Sequence, residues 1–431
     1  MKEVLIVGAG FAGLQFAKQL SKNNDKIHIT LIDKFNFHQF QPLFYQVATG
    51  RIEPSSISFP LRKVFQKQKN VSIRLAEVKS IDTQNQEVVT EAGIYQYDFL
   101  VLATGCTTNF FGNEEIASKA FPMKSTAEAL TLRNRLLLNF EDALVATPEE
   151  LESLMNMVIV GGGPTGVELA GALAELKKNI LPKDYPDMDF EKLNIYLIEG
   201  SPNVLNAMRP KSKEIAQKYL EQLGVHVKTN VTVDAYDGKC ITLSTGETIL
   251  SDNLIWSAGV KGNLPEGFDT SLIQRGNRLK VNRYNQVDSY SNIFAIGDIA
   301  YMETPLFPHG HPQVANVAIN QAKNLAKNIN KYGDNLEKWK QFEYKDPGSM
   351  ATVGKRKAVV DLPKWSFKGA FAWLTWMFLH LMLILSVKNK LVIFINWAIS
   401  YFTNDTTLRL ILWPADKNKL KRLHQKKKNI N

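Results

Sequence analysis

Residues 4–13 read VLIVGAGFAG. Four apolar residues run into a glycine turn, and Leu14, Phe16, Ala17 and Leu20 follow with the spacing of one helix face. The segment therefore predicts strand, tight turn, helix. Gly8, Gly10 and Gly13 fill the three positions of GxGxxG. The first permits the turn, the second lets a pyrophosphate approach the backbone, and the third lets helix and strand pack closely. Phe11 and Ala12 open the helix, where unsatisfied N–H groups and the helix dipole favour an anion. A second strand, IHITLID at 27–33, delivers Asp33 twenty residues after Gly13, with Lys34 beside it. A carboxylate there accepts hydrogen bonds from a ribose. A glycine turn from some other α/β sheet would lack that spaced acid.

The pattern returns. Residues 158–166 read VIVGGGPTG, placing Gly161, Gly163 and Gly166 in the motif with Pro164 and Thr165 between the last two. The next strand, NIYLIEG at 194–200, supplies Glu199. The gap from Gly166 to Glu199 is lengthened by a turn-rich insertion, KKNILPKDYPDMDFEK. DFLVLATG (98–105) likewise matches DNLIWSAG (252–259), so Ala103, Thr104 and Gly105 correspond to the turn that holds Ala258 and Gly259. Gly8 and Gly161 lie 153 residues apart, and Asp98 and Asp252 lie 154 apart. Two distant markers with nearly one offset imply a duplicated architecture. Two dinucleotide sites in one chain suggest a fixed FAD and an exchangeable nicotinamide nucleotide. Glu199 favours NADH over its phosphorylated form, because a carboxylate repels a 2′-phosphate.

IFAIGDIA (293–300) reads as a buried strand delivering Gly297 and Asp298 to a helix start. Taken with the glycine turns, this stretch resembles the two-dinucleotide-domain flavoproteins, in which such an aspartate bonds the flavin ribityl chain; a plain helix N-cap fits as well. The redox cysteine of the disulfide reductases is missing from FNFHQFQPLFYQVATG (35–50), and Cys106 and Cys240 suit neither a sulfur relay nor a CxxC site. The same segment resembles the type II NADH dehydrogenase pattern HxFxPLLYQVATG through His38, Gln41, Pro42, Leu43, Tyr45, Gln46, Ala48, Thr49 and Gly50, with Phe44 where leucine is usual. The resemblance spans nearly the whole chain. It implies that Gln46–Gly50 lie against the isoalloxazine, and it names Gln46 and Thr49 as catalytic residues beside Glu168. Glu168 follows Gly166 in a helix that faces an anion, so its carboxylate should turn away from the phosphates, toward the nicotinamide and flavin rings. The family's AQxAxQQG quinone motif corresponds here to ANVAINQA (315–322). Ala315, Asn316 and Asn320 are the expected quinone contacts, joined by Gln46 and by Gln313 just upstream. The alternative is a helix that caps the flavin without touching quinone.

The chain carries a net charge of +10, and more than half of it lies in residues 414–431, where seven Lys and Arg side chains face Asp416 alone. A basic tail behind an apolar region points to an anionic membrane surface rather than to nucleic acid. Between Lys368 and Lys388 no side chain carries a formal charge, and LVIFINWAISYF (391–402) follows. Asn396, Ser400, Thr403 and Thr407 recur opposite Ile393, Phe394, Trp397 and Ile399, as in an amphipathic helix. A buried core helix, a spanning hairpin and two helices lying in one leaflet all fit, and the aromatic residues and basic tail favour the last. His309 and His311 read as loop residues among prolines, and no metal site is expected. Two cysteines and no cleavable leader fit a reducing compartment.

The expected fold class is α/β. It comprises an FAD-binding domain at 1–110 and 285–330, an NAD(H)-binding domain at 111–284, and a C-terminal membrane-association region at 331–431 with helices near 369–412. The expected activity moves a hydride from NADH to tightly bound FAD and two electrons to a membrane quinone, without proton pumping, at the cytoplasmic face of the inner membrane. Whether the chain forms a homodimer is left open. The alternatives are an NADH-dependent flavin reductase with another acceptor, including a sulfide:quinone oxidoreductase-like enzyme, and a non-catalytic NAD(H)-sensing membrane protein.

Overall fold

Two five-stranded parallel sheets repeat one design. In the first, Lys2–Val7 lies at the centre, flanked by Ile27–Asp33 and Phe99–Leu102, with Val71–Leu75 and Ile293–Ala295 outside. In the second, Asn156–Val160 is central, flanked by Asn194–Glu199 and Asn253–Trp256, with Val225–Thr229 and Phe121–Pro122 outside. The central strands are buried on both faces, which is why they read as unbroken apolar runs. Each sheet is accompanied by a three-stranded antiparallel sheet, formed by residues 78–96 in the first half and 233–250 in the second. The computed structural model describes residues 1–22, 26–333, 335–406 and 408–412.

The glycines of both turns are fixed by sterics. Gly8 has φ +99° and Gly161 φ +107°. A Cβ on Gly13 would lie 1.8 Å from the Gly8 carbonyl oxygen, and one on Gly166 would lie 1.9 Å from that of Gly161. Around Gly10 and Gly163, by contrast, nothing lies within 4 Å of a built Cβ. The middle glycine of each turn thus faces open space.

The chain returns to the first unit before residue 285. Leu272, Leu279 and Val281 share a core with Leu5, Val7 and Leu100, and Arg278–Lys280 pairs with Ala300–Tyr301. After the long helix Ala315–Tyr332, Trp339, Phe342 and Tyr344 also pack on the first unit. A third antiparallel sheet follows, made of Ser349–Gly354, Lys357–Asp361 and Ser366–Lys368. It was not read from the sequence. Its first strand lies so close to the helix Pro164–Asn179 that a Cβ on Gly171 would fall 1.8 Å from the Val353 carbonyl oxygen.

Two helices close the described chain, Ala370–Leu383 and Val387–Thr403; residues 404–406 and 408–412 are not helical. The first buries only Ala372 and Trp376, the second only Ile393 and Trp397. Sixteen large apolar side chains between Trp365 and Leu412 are exposed, among them Phe371 at 68% and Phe402 at 81%. The expected apolar stripe is therefore divided: Ile393 and Trp397 point inward while Phe394 and Ile399 point out. Ser400 and Asn404 line a small cavity on the protein side of this helix. Exposed apolar area on this scale marks an interface, and the arrangement suits helices whose outer solvent is hydrocarbon. No helix among the described residues is long and apolar enough to cross a membrane. Thr407 and the basic tail lie outside the described residues.

Candidate active site

The first glycine turn and the first residues of the second helix open on one cleft of about 740 Å³. Gly8, Gly10, Phe11, Ala12, Asp33, Lys34, Gln41, Ala103, Thr104, Gly105, Gly297 and Asp298 all line it. Gly13 does not, being pressed between helix and strand. The helix Phe11–Leu20 begins at Gly10 with no side-chain cap and no acidic residue in its first turn, which leaves its N–H groups and dipole free for an anion.

The two acids are clamped alike. Asp33 accepts hydrogen bonds from the N–H of Ala9 (2.6 Å) and Phe35 (2.7 Å). Glu199 accepts from the N–H of Gly162 (2.5 Å) and Ser201 (2.7 Å). Each carboxylate is thus tied to the residue after the first glycine and to the residue two positions beyond itself. Burial raises the Asp33 carboxyl above its ordinary value against the opposing pull of these donors. His38 braces the same loop: its Nδ1 donates to the Ala9 carbonyl at 2.9 Å, its ring meets Phe11 edge-on, and burial lowers its pKa to about 4. In this structure the histidine of the 35–50 segment is a neutral strut.

Pro164, Thr165 and Glu168 carry the second helix to the cleft. Gly161, Gly163, Gly166, Glu199, Ala258 and Gly259 stand behind them, outside the cleft lining. Glu168 is buried one turn into its helix. It accepts from the Thr352 N–H at 3.4 Å and lies beside the Trp376 indole, whose nitrogen makes no hydrogen bond of ordinary geometry. Burial raises its pKa to about 8.

Glu168 and Tyr45 border two spaces at once. Behind them lies a second, smaller cavity of about 80 Å³, walled by Gln46, Arg51, Glu175, Trp376, Trp397 and Tyr401 among others. Gln46 faces this cavity. Its amide donates to Tyr45 Oη at 2.9 Å and accepts from the Trp397 indole at 2.7 Å, joining the short buried helix Phe44–Ala48 to the apolar helix behind it. Thr49 donates to the Tyr45 carbonyl at 2.8 Å and lines neither space.

The expected quinone residues do not form one constellation. Gln313 and Ala315 line the cleft, Gln46 lines the inner cavity, and Asn316 and Asn320 are exposed on the far face of their helix. Gln321, buried with Asn328 on that helix, accepts from the Gly297 N–H at 2.7 Å. Sequence reasoning missed many of the cleft residues, Met350 and His380 among them. His380 is the single histidine within the uncharged run, and that was its only signal. Cys106 lines the cleft and donates to Asp298 at 2.9 Å; burial pushes its thiol up to about 12, away from the reactive thiolate. Cys240 lies in the outer sheet of the second unit. Among the described residues no His, Cys, Asp and Glu cluster could hold a metal ion.

A dinucleotide fits this lining. The middle glycine leaves room, the acid is fixed for a ribose, and Thr104 Oγ1 is a buried oxygen without a partner in the cleft wall. Comparisons with known proteins agree. The family described as pyridine nucleotide-disulphide oxidoreductase matches residues 2–322, and the NDH2 C-terminal domain matches residues 347–404. A type II NADH:quinone oxidoreductase of Mycobacterium tuberculosis is 37% identical over 92% of this chain and 87% of its own length. One from Staphylococcus aureus is 30% identical over 86% and 92%. The fold is that of NDH2 from Plasmodium falciparum in complex with NADH, with a TM-score of 0.84 at 22% identity over 94% of this chain and 99% of that one. The sulfide:quinone oxidoreductase of Aquifex aeolicus is more distant in shape, with a TM-score of 0.67 at 22% identity over 96% of each chain. With both glycine turns, the cysteine-free 35–50 segment and the apolar C-terminal helices in place, the chain belongs to the pyridine nucleotide-disulphide oxidoreductase family and, within it, to the type II NADH:quinone oxidoreductases.

Proposed function

We propose that this chain oxidises NADH and reduces a quinone drawn from a membrane, with FAD as its resident cofactor. One observation carries the reading: the cleft lined by the first glycine turn and by the start of the second helix is also lined by His380, from a helix that exposes Phe371, Leu374, Phe378, Leu379, Met382 and Leu383. A water-soluble donor and a lipid-soluble acceptor can then approach one redox group from different solvents.

Bound FAD supplies the two-electron relay between them. The residues around it hold, orient and protonate. Gly8, Gly10 and the N-terminus of the first helix receive the pyrophosphate, Asp33 the ribose, and Asp298 the ribityl chain. The second turn receives NADH, with Glu199 on its ribose and Pro164 and Thr165 nearest the reacting end. Hydride transfer needs proximity rather than a protein acid or base. Quinone reduction does need protons. Glu168, with a pKa near 8, is largely protonated at neutral pH and stands between the cleft and the inner cavity. A carboxyl so placed can donate to a quinone oxygen. Gln313 and Ala315 suit the quinone's approach along the cleft, and Gln46 and Trp397 suit its approach through the inner cavity.

Attachment is to one leaflet through the two C-terminal helices, with anionic lipids meeting the basic residues that follow. The cytoplasmic face is the natural side, since NADH is made there.

Purified protein should be yellow. Anaerobic NADH should bleach it, and a short-chain quinone should then restore the colour. A flavin-replete preparation that NADH does not bleach ends this reading.

A further inference from the structure

The helix Ala370–Leu383 buries only Ala372 and Trp376, yet His380 reaches the cleft, alongside Tyr45, Glu168 and Met350. Its ring stacks on Trp376 with centroids 4.0 Å apart and meets Phe40 edge-on at 6.3 Å, so its plane is held from two sides. Nδ1 lies 2.8 Å from the Trp376 backbone carbonyl. A carbonyl only accepts, so Nδ1 carries the hydrogen. Burial lowers the pKa of the ring to about 4, which keeps it neutral at physiological pH. Nε2 is then a bare lone pair, and among the described residues no group hydrogen-bonds it.

A fixed acceptor at the lipid end of this cleft distinguishes the two redox forms of a quinone. The oxidised form presents carbonyl oxygens, which accept only. The reduced form presents hydroxyls, which donate. We propose that His380 is a quinone-site residue whose Nε2 accepts a hydrogen bond from the hydroquinone hydroxyl and offers the oxidised quinone none. The inference rests on the NADH:quinone reading above and adds to it a group that favours the product side. Binding one form better than the other shifts the equilibrium within the site toward it, so His380 draws electrons onto the bound quinone and slows release of the product.

The test uses the detergent-solubilised, flavin-loaded full chain with His380→Phe, which keeps the flat ring, and His380→Gln, which keeps an acceptor near the Nε2 position. Three quantities are read: the rate of anaerobic bleaching by NADH, the KM for a short-chain quinone, and the inhibition constant of its hydroquinone. The bleaching rate serves as the internal reference, and both quinone constants are compared at matched flavin content. In His380→Phe the hydroquinone inhibition constant should rise about tenfold, while the quinone KM moves less than about threefold. His380→Gln should recover most of the difference. Equal weakening of both redox forms, an unchanged hydroquinone constant, or a Gln variant no better than Phe would overturn the proposal. So would a change in flavin affinity with both quinone forms unaffected, which would assign Nε2 to the cofactor. If wild-type protein fails to bleach, the NADH reading falls first, before any quinone step.

Discussion

The two glycine turns share strand order, carboxylate clamp and steric demands, but they differ in what covers them. In the second unit the chain passes from Asn194–Glu199 to Val225–Thr229 through an ordinary helix, Pro210–Gln222. In the first, the corresponding crossover holds the hairpin Phe37–Gln39 with Ser58–Pro60 and the buried helix Phe44–Ala48. That segment supplies Lys34, Phe35, Phe37, Gln39, Gln41, Phe44 and Tyr45 to the cleft wall, whereas the second turn contributes three residues in all, Pro164, Thr165 and Glu168. Similar local chemistry can therefore serve retention in one half and exchange in the other. The difference lies in the crossover, not in the turn.

The sharpest way to break this contrast is to remove each acid in turn. Asp33→Ala leaves two N–H groups without their charged acceptor in the cleft wall. Flavin affinity should fall more than about a hundredfold, and the protein should purify colourless. Glu168→Gln tests the residue that belongs to the second helix but stands at the first unit's cleft. The wild-type donor is protonated below its pKa of about 8, so quinone turnover should decline as pH rises through that value. The glutamine variant should show no such limb and should turn over about a hundredfold more slowly, while NADH still bleaches the flavin. Glu199→Ala should raise the KM for NADH about tenfold and leave the flavin in place. If it also loses flavin, the division between retention and exchange is wrong. The smallest effect is expected from Cys106→Ser with Cys240→Ser, since serine keeps a donor to Asp298; turnover should stay within about twofold. A far larger loss would reopen sulfur chemistry at this cleft.

Much of this was legible because it is local. VLIVGAGFAG and VIVGGGPTG state strand, turn and helix within ten residues, and Asp33 and Glu199 follow at the ends of the next strands. What was hidden depends on contacts between distant segments. The sheet at 349–368 is short and owes its place to Gly171, whose importance shows only when Val353 is seen against it. On the helix Ala315–Tyr332 the motif pointed to Asn316 and Asn320, but the buried face carries Val317, Ala318 and Gln321. On Val387–Thr403 the amphipathic period was visible, but its direction was not. Periodicity does not say whether the outer medium is water or hydrocarbon, and here Ser400 faces inward while Phe394 faces out.

The sixteen bare apolar side chains near the C-terminus have a practical consequence. In a plain buffer they lack the oily medium they are shaped for, and the readiest substitute is the same face on another molecule. Such a pairing would plug the lipid-side doorway while leaving the aqueous one ajar. A preparation stripped of detergent would then still consume NADH with a polar electron acceptor, yet look dead toward a greasy one. The fault would lie in the solvent, not in the enzyme.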